Sequence, residues 1–373
     1  MGEIGVGLIG TGFMGKCHAT AWRTVRAVFG NVPDVRLEVL CDTPEDKAHE
    51  MAAQFGFGRA TADWQELVKD PAVDVVSITA PNGLHHPIAM AALAAGKHVW
   101  CEKPMALTLA QAEEMTQAAA SAGTQTLVGY NYLANPAYTN AQRLVAEGAI
   151  GRPIHFRGVF DEDYQADADL PWSWRCLKSE AGLGALGDMA CHLVSCAVGI
   201  MGPVESLVAD MQTVHQSRAK PDGTGDGPVE NEDIASALVR FRSGAQGFFG
   251  TARTAWGRKN HLAWEVHGDR GMITFTQERM NELKLFRADD DPGEWGFRTI
   301  LTGPQHPPFG QFCPAPGHNL GFNEMKVIEL AGLLRAIRDG GMAAPSFSDA
   351  LEFERVIHGV AEAAETGHRI TLT

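Results

Sequence analysis

The chain has 373 residues, 45% of them hydrophobic and 20% charged, ordinary values for a globular protein with room for two or three domains. A formal net charge of −14 opposes phosphate backbones and anionic lipid surfaces, so nucleic-acid and membrane partners are not expected. The seven cysteines are odd in number and contain no Cys-x-x-Cys pair. They argue against a zinc cluster or a disulfide framework and read as reduced thiols of a cytoplasmic protein.

The stretch Met1–Gly10 lacks the basic region, long apolar run and cleavage site of a secretory leader. Myristoylation at Gly2 is not expected, because Val6 stands where Ser or Thr is needed. No apolar run in the sequence approaches the length of a membrane span.

Residues 4–9 form an apolar strand that stops at Gly10-Thr11-Gly12-Phe13-Met14-Gly15, and a helix follows over 13–28. A second strand, 37–41, ends at Asp42. Helices are predicted near 44–55 and 63–69, and the run 73–79 reads as a buried strand. A helix over 84–95 leads to His98-Val99-Trp100-Cys101 and then to Glu102-Lys103-Pro104. Thr108 and Gln111 have the spacing of a capping box before a helix to about 121, and 126–129 reads as a sixth strand. Strands alternating with helices predict βαβ units on a doubly wound parallel sheet, a Rossmann domain over 1–130.

The pattern then changes. A helix near 136–147 precedes an alternating strand at 154–160, and 204–215, 234–242, 245–254, 262–267 and 271–276 are also strand-like. The turn signals Ser243-Gly244 and Gly268-Asp269-Arg270-Gly271 make neighbouring strands antiparallel. The polar stretch 217–232 reads as an exposed loop. Residues 289–322 form a long Pro- and Gly-rich connection of a length that suggests binding. Two helices close the chain, 324–338 with Asn323 as cap and 348–365. The second domain is therefore expected over 131–373, an α+β unit with an open, mostly antiparallel sheet that includes both closing helices.

The glycine turn lies between strand and helix, as dinucleotide binding requires. Gly10 allows the tight turn, Gly12 lets backbone approach the pyrophosphate, and Gly15 lets helix and strand pack closely, with Phe13 and Met14 at the helix start. Asp42 is placed to accept hydrogen bonds from the adenosine ribose, and no Arg adjoins it to welcome a 2′-phosphate, which favours NAD over NADP. Asp42 lies later after Gly10 than the usual gap of about 20 residues. The segment Gly30-Asn31-Val32-Pro33 reads as an inserted loop that absorbs the excess.

Ala80-Pro81-Asn82 and His85, after the fourth strand, are expected at the cofactor, with His86 on the surface. Glu102 and Lys103 follow the fifth strand, where ligands bind. Burial near a cationic nicotinamide would lower the lysine's pKa and suit a base; a solvated surface lysine is the plain alternative. Asp188 and His192 are four apart and share one face of a helix, behind a Gly182–Gly187 stretch that allows close approach to a ligand. A helix-terminal charge beside a core histidine is the competing reading. Trp172, Trp174, Arg175 and Lys178 suit a sugar ring, or else are core aromatics beside surface cations. His318, in the long late loop, is a candidate to reach a neighbouring subunit's site. Clustered zinc ligands are lacking.

Gly10-x-Gly12-x-x-Gly15, Glu102-Lys103-Pro104 and Asp188-x-x-x-His192, in this order, resemble the Gfo/Idh/MocA oxidoreductases over nearly the whole chain. Ser173-Trp174-Arg175, Gly184–Asp188, Gly296–Thr299 and Thr302-Gly303-Pro304 are similar to the inositol, levoglucosan and L-glucose dehydrogenase-type members. The resemblance implies a homodimer or homotetramer formed through the second-domain sheet. It also implies that Lys103 contacts the reacting hydroxyl and cofactor, that His192 takes or relays its proton, and that Asp188 orients His192 or the sugar. The expected activity is NAD-dependent oxidation of a secondary ring hydroxyl of a cyclic polyol or pyranose. The rivals are an NADPH-dependent keto- or anhydro-sugar reductase and a non-catalytic dinucleotide sensor on the same scaffold.

Overall fold

Short apolar strands need both faces covered, and the chain supplies a helix after nearly every one of its first six. The computed structural model describes residues 3–372; the lipidation reading at Gly2 lies outside the described residues. In chain order come β1 (Ile4–Ile9), α1 (Phe13–Val28), β2 (Val35–Cys41), α2 (Glu45–Phe55), β3 (Arg59–Thr61), α3 (Trp64–Lys69) and β4 (Val75–Ile78). Then follow α4 (His85–Ala94), β5 (His98–Cys101), α5 (Leu109–Ala122), β6 (Thr126–Val128), α6 (Pro136–Ala146) and β7 (Pro153–Asp161). A helical turn α7 (Lys178–Ala181) and a π turn (Leu186–Ala190) lead into α8 (Cys191–Met201). The later strands are β8 (Val204–Gln212), β9 (Ser217–Ala219), β10 (Asp226–Pro228), β11 (Ile234–Phe241), β12 (Gln246–Ala252), β13 (His261–Gly268), β14 (Gly271–Thr276), β15 (Glu282–Arg287) and β16 (Arg298–Leu301). Helices α9 (Phe322–Asp339) and α10 (Phe347–Thr366) and strand β17 (Ile370–Thr371) finish the chain.

Two compact units result, one of residues 1–134 with 321–351, the other of 135–320 with 352–373. The first carries a six-stranded parallel sheet in the order β3-β2-β1-β4-β5-β6. The order reverses between β1 and β4, which opens a ligand crevice at their carboxyl ends. Both strands are buried along their whole length, hence their apolar sequences.

The first break falls near the expected 130, but this division differs from a second domain over 131–373 in that α9 belongs to the first unit. Its buried Val327, Leu330, Ala331 and Leu334 need a partner surface. The Arg335 guanidinium lies 4.9 Å over the Phe29 ring and bonds Asn31 at 3.2 Å, so α9 covers the inserted loop after α1. The helix also starts one residue before the expected cap, Asn323. Glu324 accepts from the Gly321 N–H at 2.9 Å, which puts the cap at Gly321.

The second unit is built on a nine-stranded sheet, β16-β15-β14-β13-β7-β12-β11-β8-β17, antiparallel except for the β7–β12 pair. Phe156, Phe160, Trp264, Val266, Ile273 and Phe275 fill its inner face. Helix α8 lies close to β7 because Gly158 has no side chain; a Cβ there would stand 2.4 Å from Leu193. Tyr138 of α6 donates to the Cys196 carbonyl at 3.2 Å.

Two loop expectations fail here. Residues 217–232 hold the β9–β10 hairpin, with Arg218, Asn231 and Glu232 buried. Within 289–322, β16 pairs with β15, a strand with too short a pattern to stand out in the sequence. Against the expectation that no apolar run approaches a membrane span, Lys178–Met201 is long and apolar enough by length and composition, but 72% of its apolar window is buried inside the fold, as in a core helix.

Trp264 is 1% exposed and stacks on Phe275 at 5.2 Å. Trp264→Ala should therefore cost about 3–5 kcal/mol by urea denaturation; a loss within experimental error would show that this core does not hold the unit together.

Candidate active site

The three glycines have three separate steric reasons. Gly10 has φ +97°, and a Cβ there would stand 2.6 Å from the Thr79 carbonyl oxygen. A Cβ on Gly15 would meet the Gly10 oxygen at 2.2 Å, so α1 can approach β1 only with glycine here. At Gly12 a Cβ would meet nothing within 4 Å, leaving open space in front of the α1 N-terminus. No side chain caps that terminus. Its N–H groups and the helix dipole suit a pyrophosphate, so the residues fit a dinucleotide. Phe13 is 72% exposed and its ring lies 5.6 Å from Phe322.

At the end of β2, the Asp42 carboxylate accepts from the Thr11 N–H at 2.9 Å, from the Thr11 hydroxyl and from the Thr43 N–H at 2.6 Å. Lys47 pairs with it at 3.0 Å. Burial works against the charge, but these donors outweigh it and hold the carboxyl below its ordinary range. Thr11 and Lys47 were not legible as Asp42 partners, since nothing in linear spacing brings them together.

After β4, Ala80, Pro81 and Asn82 line the loop into α4. His85 does not present a ring nitrogen to the crevice as expected. It is buried, with Nδ1 2.8 Å from the Pro104 carbonyl and Nε2 3.0 Å from the Ala80 carbonyl. Burial lowers its pKa. The ring thus ties the loop after β4 to the turn after β5. His86, expected at the surface, is part-exposed and pairs with Glu114 at 2.8 Å.

Glu102 is likewise not aimed at a cofactor. It is 4% exposed, and its Oε1 accepts from His18 at 2.7 Å and from the buried Lys326 ammonium of α9. Lys326 also donates to the Gly129 carbonyl at 3.2 Å and lies 3.3 Å from Glu329, whose other oxygen accepts from Trp100 Nε1 at 3.1 Å. A Cβ on Gly129 would fall 2.3 Å from Glu102 Oε1. Lys103, half-buried, follows Glu102 on this anchored turn, with a cis peptide to Pro104.

Charge in this cage is unequally shared. Burial pushes His18 down to about 4. Burial opposes the charge on Glu102, but Lys326 and then His18 hold its carboxyl far below the ordinary range. Burial drives Glu329 up to about 7, because the one ammonium already faces Glu102.

In the second unit, the Asp188 carboxylate accepts from the Tyr164 hydroxyl at 2.7 Å and from Arg175 at 3.3 Å. Tyr164 is held in its protonated, donating form first by burial and then by the Asp188 charge. Asp188 sits in the π turn and His192 at the start of α8, 5% exposed and 6.1 Å from the Phe160 ring. π turns interrupt helices most often at functional sites. Of the upstream glycines, Gly184 serves the fold: a Cβ there would meet the Glu232 carbonyl oxygen at 2.0 Å. The Glu232 side chain accepts from the Leu186 N–H at 2.8 Å, and burial raises its pKa. Beside it, Asp233 and Arg253 form a buried pair at 2.7 Å, and Asn231 holds the Arg175 carbonyl at 2.9 Å. Arg175 stacks 4.8 Å over Trp174. Trp172 instead donates to the Pro228 carbonyl at 2.9 Å, and Lys178 lies 3.7 Å from Glu365. His318 is exposed.

Residues 4–130 match the family described as oxidoreductase, NAD-binding Rossmann fold, and residues 138–274 match the Gfo/Idh/MocA C-terminal domain. The chain is 38% identical to levoglucosan dehydrogenase of Pseudarthrobacter phenanthrenivorans, over 98% of this chain and 97% of that one. The chain belongs to the Gfo/Idh/MocA oxidoreductase family. It is also similar to myo-inositol 2-dehydrogenase of Thermotoga maritima, 29% identical over 79% of this chain and 81% of the other. A solved levoglucosan dehydrogenase in complex with NADH and levoglucosan superposes with TM-score 0.96 at 37% identity, covering 99% of each chain. This family member is therefore an NAD-binding oxidoreductase.

The cage yields two predictions. Lys326→Met strands a buried carboxylate and should cost about 3–5 kcal/mol on chemical denaturation. A Glu329 raised from 4.5 to about 7 on folding binds an extra proton in the native state between those values, so its contribution to stability falls as pH rises toward 7. Glu329→Gln, which keeps an acceptor for Trp100, should melt higher than the parent at pH 8, with the difference shrinking near pH 5. A difference that did not change with pH would mean that Glu329 is ionised throughout.

Proposed function

We propose that this protein oxidises a secondary ring hydroxyl of a cyclic polyol, pyranose or anhydrosugar to the ketone, with NAD. The observation that carries this reading is the Asp188 carboxylate, fixed by Tyr164 and Arg175 one turn before His192. Such an array offers a sugar a carboxylate acceptor, a guanidinium and an imidazole. The full-length relative that acts on levoglucosan supports the substrate class, and the relative that acts on myo-inositol widens it to cyclitols.

In this reading His192, assisted by Lys103, accepts the hydroxyl proton as the carbinol carbon loses hydride. Bound nicotinamide supplies the hydride acceptor. Asp188 orients His192 and the ring, and Trp174 and Arg175 bound the sugar. Positioning and proton transfer are the protein's contribution. We further place the enzyme in the cytoplasm as a homodimer or homotetramer. Exposed Leu238 and the outward Phe248 and Val159 on the second unit's sheet are the surface for that assembly, and His318 is the residue that reaches a neighbour's site.

NAD reduction should appear on screening inositols, D- and L-sugars and anhydrosugars. No turnover with any of them, despite tight NADH binding, would favour a dinucleotide sensor. Lys103→Ala should lower kcat by about a thousandfold while NADH still binds. Robust turnover by that variant would remove Lys103 from the mechanism.

A further inference from the structure

We infer that Lys47 sets the discrimination between NAD and NADP, working against Asp42. The inference rests on the reading of Asp42 as the ribose acceptor. A carboxylate offers about four lone-pair sites. On Asp42, Oδ2 is faced by the Thr11 N–H, the Thr11 hydroxyl and the Lys47 ammonium, and Oδ1 by the Thr43 N–H. A ribose that offers two hydroxyls must therefore displace a donor. The backbone donors are fixed by the glycine turn and by the strand end. Lys47, 47% exposed on the first turn of α2, is the donor whose ammonium can return to water at least cost.

Lys47 thus has two opposed effects. It competes with ribose hydroxyls for Asp42, and it supplies a cation beside the place where a 2′-phosphate would stand. Glu45 and Asp46 share its helical turn, and Asp63 and Glu66 act with Asp42 on the Cys41 thiol at the end of the same strand. Beside these carboxylates the lysine softens the repulsion toward a 2′-phosphate.

The test is displacement of NADH, followed by its fluorescence, by 5′-AMP, adenosine 2′,5′-bisphosphate and adenosine 3′,5′-bisphosphate. Lys47→Ala should weaken the 2′,5′-bisphosphate relative to 5′-AMP by about fivefold, the scale of one exposed charge pair. The 3′,5′ isomer should change less. Equal weakening of both isomers, or an unchanged ratio, overturns the inference. Asp42→Ser separates the two readings. If Asp42 binds ribose, this variant weakens 5′-AMP; if 5′-AMP is unaffected, the ribose reading itself fails. In the Asp42→Ser background the loss of 2′,5′-bisphosphate binding on removing Lys47 should be larger still, because the freed ammonium then has no carboxylate partner.

Discussion

The first unit depends on one buried ion pair, Glu102 with Lys326. Neither group has water to fall back on: Lys326 is 0% exposed and Glu102 4%. Taking both from water costs several kcal/mol each, which their attraction returns only if the remaining donors are also satisfied. That condition dictates the surroundings. His18 and the Gly129 carbonyl complete the shells, and Gly129 must be glycine to leave room. The indole of Trp100 covers the cage, with His18 stacked on it at 3.6 Å. Residues 224 apart in the chain are thereby held together, and α9 has to return to the first unit. The pair is a constraint on geometry more than a source of stability.

The same pair shapes the neighbouring chemistry. Lys103 is one residue from Glu102, and its turn is also held through Pro104 by His85. Two residues expected to touch cofactor therefore serve as anchors for the one expected to touch substrate. Such an arrangement restricts where the Lys103 backbone can go without spending any group of the crevice on the task. Glu329 is the odd carboxyl of the cage: Lys326 and the Trp100 N–H favour its charge, but burial and the neighbouring Glu102 charge outweigh them.

What could be read in the sequence was local. The Gly10–Gly15 turn follows from backbone sterics over six residues, and the structure gives each glycine a distinct close approach or opening. Alternating strands and helices follow from burial periodicity, which is why β1 and α1 begin and end where expected. Helix α9 was legible as a helix but not by its place, because an amphipathic face states that it needs a partner and not which one. Lys326 lies buried on that helix, and nothing in its spacing marks it as the partner of Glu102. Likewise Asn231 and Glu232 lie in the polar stretch 217–232 that reads as loop, although both are buried and support the second unit's helix start. Nothing in composition separates a buried carboxylate from an exposed one; only its partners do.

Asp188 and His192 show how the same limit bears on function. Their spacing places them on a shared helical face, but a face alone does not orient a carboxylate. Orientation comes from Tyr164 beyond β7, from Arg175 stacked on Trp174, and from a π turn whose first N–H groups end on Glu232. With Glu232 at its start, the π turn has an acceptor for the amides that a helix otherwise leaves unpaired. Gly184 before it then serves close backbone contact with Glu232. In both units the residues that would do chemistry are few and readable. The residues that hold them in place are buried, charged and distant in sequence, and they come into view only when the chain is folded.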